Sequence, residues 1–402
     1  MHMGDPSAQT SPVSRRALLT SAAAGTGIAA TAGYLAGRQP MSETGLESVP
    51  AAATSDTAED TSLPFYGSRQ TGVTARQQPY TLLVGFGLRD QSAPVSEART
   101  ALAEVLRRWT DQLGQAAAGA CPALTAMDVR AARLTATVGI GPFLASRLDL
   151  AAPPELRGLP ALPGDRLDPA RSDADVLVQL CADDRWALTN TVELLRAQAE
   201  TALRIRWRQA GFLPPERPGV TPRNLLGFKD GTANPGPADQ DQWVWYPQGR
   251  HADGTLMVYR RIRIDTAAFA ALPVTGQEAV IGRYRTDGAP LGETDEFDQF
   301  SLWSKHPDGS YVIPATAHVR LADPRFDAGA RMLRRGYSYD DDVNDQGLLF
   351  CAFMRDPALF TRVQSRLAQA DALGRYIQHV ASAVAYVLPG ATSANPLGAT
   401  LF

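Results

Sequence analysis

The chain has 402 residues, 44% of them hydrophobic and 20% charged, an ordinary globular composition with the length for two domains or one duplicated unit. Its formal charge is −3, and the first 40 residues hold Arg15, Arg16 and Arg38 against Asp5, which leaves −5 on the rest. A mildly acidic body gives no electrostatic basis for binding nucleic acid or an anionic membrane.

The N-terminal stretch SPVSRRALLTSAAAGTGIAATAGYLAG pairs two arginines with a weakly hydrophobic, Ala/Gly-rich run. This fits a twin-arginine export signal over residues 1–39, which delivers already folded proteins to the translocase and so to the periplasm, cell envelope or exterior. The competing reading, a retained anchor, is weaker because the run from Ala22 to Gly37 is short and broken by glycine, so no stable span is expected in the mature form. Residues 40–62, rich in Ser, Thr, Ala and Glu, read as a disordered linker.

Beyond it, YTLLVGFGL (80–88) reads as a strand, and RTALAEVLRRWTDQLGQ (99–115) as an amphipathic helix with Leu102, Val105, Leu106, Trp109 and Leu113 on one face. Strands are expected at 134–141 and 175–184, then a helix over 185–202. The order returns with a strand at 255–265, a helical stretch, a strand at 347–354 and a helix over 357–370. Strands followed by helices, twice over, predict an α+β fold with antiparallel sheets and an internal duplication without sequence identity between the halves.

Cys121, Cys181 and Cys351 are odd in number, and the last two sit in apolar runs, which predicts buried free thiols. There is no C-x-x-C, C-x-x-C-H or zinc-type Cys/His spacing, which argues against a structural zinc and a covalently attached haem. Of the five histidines, His318 in IPATAHVRLADPR has the richest context, with small residues before it and a basic, proline-turned segment after it. A lone histidine is nonetheless more often a satisfied structural group than a ligand. His251 and His306 lie in polar loops and are expected to be solvated. Arg334, in MLRRGYSYDDD, either anchors a surface carboxylate or aims a fixed charge into a pocket.

The stretch GFKDGTANP (227–235) places Lys229 and Asp230 inside a tight glycine turn. Together with HVRLADPR and LRRGYSY, in this order, it resembles the dye-decolourising haem peroxidases, whose hallmark is G-x-x-D-G. The match is nearest to the exported bacterial branch that includes the deferrochelatase/peroxidases. PFYGSRQTGV, DVLVQLCADD, RRIRID, GLLFCAF and AYVLPG agree, so the resemblance runs from about Pro64 to Gly390.

That resemblance implies two ferredoxin-like domains with antiparallel sheets, at 63–215 and 216–402, the second binding one non-covalent haem b per chain. It implies His318 as the proximal iron ligand, Asp230 as the distal acid–base group and Arg334 as the distal cation. Gly231, Thr232 and Ala233 would lie against the porphyrin, and Asp323, Pro324 and Arg325 would form another haem-contacting segment, with Arg325 a propionate partner by charge. The implied activity is reduction of hydrogen peroxide with oxidation of organic donors such as dyes or phenolics, and an aspartate base favours an acidic optimum. The rivals are a deferrochelatase that takes iron from haem alongside iron-uptake components, and a haem-binding or storage protein. A homo-oligomer is left open.

Two positions depart from the family pattern: Arg69 stands where relatives often have His, and Arg375 where many carry the acid that orients the proximal histidine. The acceptor for the second ring N–H of His318 therefore stays open between Asp371, a backbone carbonyl and water, with Asp371 requiring a rotated helix. Haem binding is expected to survive and the reduction potential to be altered. Trp243, Trp245, Trp303, Tyr337 and Tyr339 are candidates for carrying electrons to bulky donors, though packing explains each of them as well. The acidic run Asp340–Asp342 could attract a metal such as Mn²⁺, although such runs are usually solvated loops.

Overall fold

The computed structural model describes residues 63–402 apart from 125–128, 131, 216 and 218, so the predicted signal and linker lie outside the described residues. Nine strands are present among them: β1 (Tyr80–Leu88), β2 (Thr135–Ile140), β3 (Val176–Ala182), β4 (Leu203–Phe212), β5 (Thr255–Ile264), β6 (Leu333–Arg334), β7 (Tyr337–Asp342), β8 (Asp345–Met354) and β9 (Ile377–Val387). All the pairings between them are antiparallel, in the order β5-β9-β2-β3-β1-β4-β7-β8-β6. A further pairing of β8 with β5 closes the sheet into a barrel.

The order strand–helix–strand–strand–helix–strand occurs twice. In the first half β1 leads through the helix Val95–Ala117 to β2 and β3, and the helix Arg185–Ala199 leads to β4. In the second, β5 is followed by the short helices Thr266–Ala270 and Val274–Ile281, then β7, β8, the helix Ala358–Ala370 and β9. The halves meet along two short seams, Phe212 opposite Ser338 and Gly139–Ile140 opposite Val387–Tyr386. The second seam is stitched by the buried side chain of Gln70, which accepts from Val138 N (2.7 Å) and donates to Val138 O (2.8 Å) and Leu388 O (2.9 Å).

The strand β3 is buried along its whole length because both of its faces are covered. Val176, Val178 and Leu180 face the helices, where Leu102, Val105, Leu106, Trp109 and Leu113 form the expected stripe and none is more than 3% exposed. Each such side chain contributes about 1.5–3 kcal/mol on burial. Leu177 and Cys181 face the barrel interior with Trp207, Tyr259, Tyr337, Tyr339 and Cys351. All three cysteines are free and buried, as their apolar settings predict.

The helix expected over 185–202 ends at Ala199, and after a short turn β4 begins at Leu203. The sequence reading missed this strand because Arg204, Arg206 and Arg208 give its outer face a polar look. The strands β6 and β7 pair with the same edge of β8 and are split by Arg335 and Gly336, with Arg335 N still donating to Cys351 O at 2.8 Å. Arg334 is thus the last residue before a break in the strand.

Candidate active site

The turn 227–235 is shaped by glycine where no other residue fits well. Gly231 has φ +116° and Gly227 φ +82°, and a Cβ on Gly227 would lie 2.8 Å from the Arg285 guanidinium. Asn224 accepts from Leu226 N (3.0 Å), and Asp230 N donates to Pro222 O (2.9 Å), which closes the turn. The adjacent charges then part company. Lys229 pairs with Glu296, which also accepts from Thr232 Oγ1 at 2.7 Å. Burial works to raise the Glu296 acid, but hydrogen bonds from Lys229, Thr221 and Thr232 outweigh it and hold the group below the usual range. With both flanking residues pulled onto Glu296, Asp230 is the charge left to face inward.

Asp230 and Arg334 line one cavity of about 630 Å³, together with Gly231, Asn234, Gly336, Tyr337 and Leu348. Gly336 lies across from the carboxylate, and a Cβ there would come within ordinary contact distance, 3.9 Å, of Asp230 Oδ2. Asn234 joins the turn to β6: its Nδ2 donates to Arg334 O at 2.8 Å and its Oδ1 accepts from Arg334 N at 2.9 Å. Arg334 Nε is buried and has no hydrogen-bond partner among the described residues. A buried donor left alone costs about 1–3 kcal/mol, and this one is open to an acceptor from a bound group.

His318 opens the short helical turn His318–Leu321. Its Nδ1 lies 2.7 Å from Asp371 Oδ2. The Asp371 side chain is 3% exposed, whereas the imidazole retains 34%, so Nδ1 is committed and Nε2 stays available. Burial acts to depress the imidazole, but the Asp371 bond and charge outweigh it and hold the ring above its ordinary 6.5, while Arg334 lowers and Asp230 raises it further. His318 therefore senses both charges of the cavity, although it is not among the residues lining that cavity. No rotated helix is needed to bring Asp371 there: the helix stops at Ala370, and Asp371 caps the next turn, its Oδ1 accepting from Leu373 N at 2.9 Å. Arg375 is exposed.

The remaining predicted residues are placed as follows. Thr232 is turned onto Glu296 and Ala233 is exposed. Pro324 starts a 3-10 turn capped by Asp323, and Arg325 forks onto the same Asp323 (2.8 and 2.7 Å) while donating to Phe300 O (2.9 Å), so its charge is already balanced. Arg69 joins Asp253 (2.6 Å) and Asp241 (2.8 Å) across Trp245. Of the aromatic candidates, Trp245, Tyr337 and Tyr339 are buried and Trp303 is 68% exposed. Asp341 is held by Arg261 (2.9 Å) and is not free to serve a metal alone. His251 is not simply solvated; it is half-buried, with Nδ1 3.2 Å from Tyr386 Oη. Asn234 and Glu296 were not predicted. Asn234 lies in the motif itself, but nothing in the sequence connects Glu296 to a turn more than sixty residues upstream.

Comparison with known proteins places this fold in a class of peroxidases. The Dyp-type peroxidase family models match residues 70–213 (N-terminal) and 221–392 (C-terminal). A dye-decolorizing peroxidase of Thermobifida fusca is 37% identical over 372 residues, covering 83% of each chain. A deferrochelatase of Yersinia pseudotuberculosis is 32% identical over 367 residues, covering 83% of this chain and 82% of that one. Among solved structures, a DyP-type peroxidase from Cellulomonas bogoriensis superposes with TM-score 0.79 at 35% identity, over 85% of this chain and 98% of that one. An oxyferrous complex of DtpA from Streptomyces lividans gives TM-score 0.77 at 35% identity, over 84% and 96%. The chain belongs to the Dyp-type peroxidase family, whose members are haem enzymes, and is a peroxidase. No described helix is long and apolar enough to cross a membrane.

Proposed function

We propose that the chain binds one non-covalent haem b between His318 on one side and Asp230 with Arg334 on the other, and reduces hydrogen peroxide at the expense of organic donors. The observation that carries this is the buried, unpartnered Nε of Arg334 on the cavity that Asp230 also lines, with an imidazole in range of both charges. When bound, haem would supply the redox chemistry that cleaves the peroxide O–O bond. His318 offers Nε2 to the iron while Nδ1–H donates to Asp371, which fixes the tautomer and makes the imidazole more electron-donating. Asp230 would serve as the group that takes a proton from peroxide and returns it to the departing oxygen. Arg334 stabilises the charge that develops there without changing its own protonation. The absence of a C-x-x-C-H sequence and the burial of all three cysteines support non-covalent attachment.

The repeated element order and the strand arrangement within each half, β4-β1-β3-β2 and β9-β5-β8-β7, support two duplicated ferredoxin-like units. The paired arginines and Ala/Gly run support export through the twin-arginine translocase to the envelope or beyond. Tyr337 at the cavity and the exposed Trp303 are the aromatic residues best placed to pass electrons from bulky donors. A second reading, iron removal from haem within an iron-uptake system, is favoured by the deferrochelatases that share 32% identity.

The test is to load the full chain with haem, measure the Soret-to-protein ratio, and follow the Soret band after mixing with peroxide. His318→Ala should abolish stoichiometric loading, and wild type should turn over an anthraquinone dye. A wild-type rate no greater than that of free haem would leave a storage protein, and release of intact porphyrin under anaerobic reducing conditions would establish the second reading.

A further inference from the structure

One helix holds the His318 turn at two points. Its C-terminal end presents Asp371 to His318 Nδ1 (2.7 Å), and five residues earlier Arg366 donates Nε to Leu321 O at 2.5 Å. Leu321 O is the last carbonyl of the turn that His318 opens, a group with no partner inside the turn. The other arm of Arg366 pairs with Asp327 Oδ2 at 2.7 Å, and Arg362 holds Oδ1 of the same carboxylate at 3.1 Å. The Asp327 side chain is 2% exposed, so this ion pair is fixed where water does not compete freely for it. Past the helix, Ala372 N donates to Thr316 O at 3.0 Å, a backbone tie on the opposite side of His318. The histidine thus sits on a short span gripped at Thr316 and at Leu321, and both grips belong to the segment that carries its hydrogen-bond acceptor.

Between the two ties the buried Arg320 donates to Leu302 O and, at 3.3 Å, to Ile313 O, so release of the Leu321 grip would leave the turn anchored there and at Thr316 and would allow only a small shift, felt in the His318–Asp371 bond. We propose that Arg366 is a positioning residue for the reaction: by fixing Leu321 O relative to Asp371 it sets how strongly Asp371 draws on the His318 N–H, and hence how strongly the imidazole donates to a bound iron. This rests on His318 being the iron ligand. A weaker bond makes the imidazole a poorer donor, which favours the reduced metal.

The test compares haem-loaded full-length wild type, Arg366→Met, Arg366→Lys, Asp371→Asn and the Arg366→Met/Asp371→Asn double variant. The readouts are the ferric/ferrous midpoint potential and the ferrous iron–histidine stretching frequency. Arg366→Met is expected to raise the potential and lower the frequency, in the same direction as Asp371→Asn. The double variant should shift no further than Asp371→Asn alone, because both act through one bond. Arg366→Lys keeps a cation beside Asp327, and with it the fold, but one ammonium cannot span both partners, so an intermediate shift is expected. Wild-type potential and frequency in both Arg366 variants would overturn the proposal, as would full additivity in the double variant. If instead wild type shows no iron–histidine stretch, or His318→Ala leaves the spectrum unchanged, the ligation reading itself fails, a distinguishable result.

Discussion

The side-chain amide of Asn234 brackets the peptide unit of Arg334, donating to its carbonyl and accepting from its N–H at 2.8 and 2.9 Å. One residue of the glycine turn thereby ties the segment that carries the acid to the strand that carries the cation. Asn234→Ala is expected to leave two backbone groups of Arg334 unpaired, at a cost of about 1–3 kcal/mol. It should slow the reaction with peroxide more than it reduces haem loading. Stopped-flow rates set beside chemical denaturation check both outcomes.

Replacing the polar pair itself should separate their roles. Asp230→Asn removes the proton acceptor while keeping the shape, with an expected loss of about 10²–10⁴-fold in the peroxide reaction. Arg334→Leu removes a buried donor that has no internal partner. That change should cost about 10²–10³-fold in rate while leaving the haem-free fold as stable as before or more so.

The raised imidazole of His318 gives two opposite pH dependences. In haem-free protein the His318–Asp371 ion pair stabilises the fold fully below the ordinary 6.5, and that stability is lost as pH rises through the elevated value. Haem uptake needs the neutral ring, so affinity should rise over the same window. Asp371→Asn should flatten the first trend and move the second to lower pH; melting curves and haem titrations across pH 5–9 read the two.

His379 titrates in the other direction. It is 7% exposed, its Nδ1 accepts from Arg260 Nε at 3.2 Å, and its Nε2 lies 3.2 Å from the Gln364 amide. Burial, followed by the Arg260 charge, pushes it down to about 3. Unfolded chain therefore takes up a proton at this position between about pH 6.5 and 3 that the folded chain refuses, so stability falls with pH through that window. His379→Gln should lessen that acid-side slope, as measured by urea midpoints at pH 4 and 7.

The sequence carried this architecture unevenly. The helix face built on Leu102, Leu106 and Trp109 and the continuous apolar run of β3 were legible because periodicity and length report directly on what covers an element. Strand β4 was not, since its arginines face outward and the barrel interior takes its alternate residues. Asp230, Arg334 and His318 could be singled out from three separated motifs taken together. Asp371 could not be chosen over a carbonyl or water, because only the abrupt end of a helix at Ala370 turns its carboxylate toward the imidazole. Glu296 and Arg366 act across long loops, a distance at which local pattern says nothing.

The two short seams give the chain a nearly circular order. Tyr66 bridges to Ala391, and Gly67 N donates to Ala391 O at 2.9 Å, so the segment that leads into the first half and the one that leaves β9 meet beside the β2–β9 junction. Opening the backbone near the prolines at 214 and 215, which lie outside every strand, would leave each ladder of the molecule intact. Its two lobes, expressed as separate pieces, would carry matching unpaired edges and should reassemble with each other on mixing.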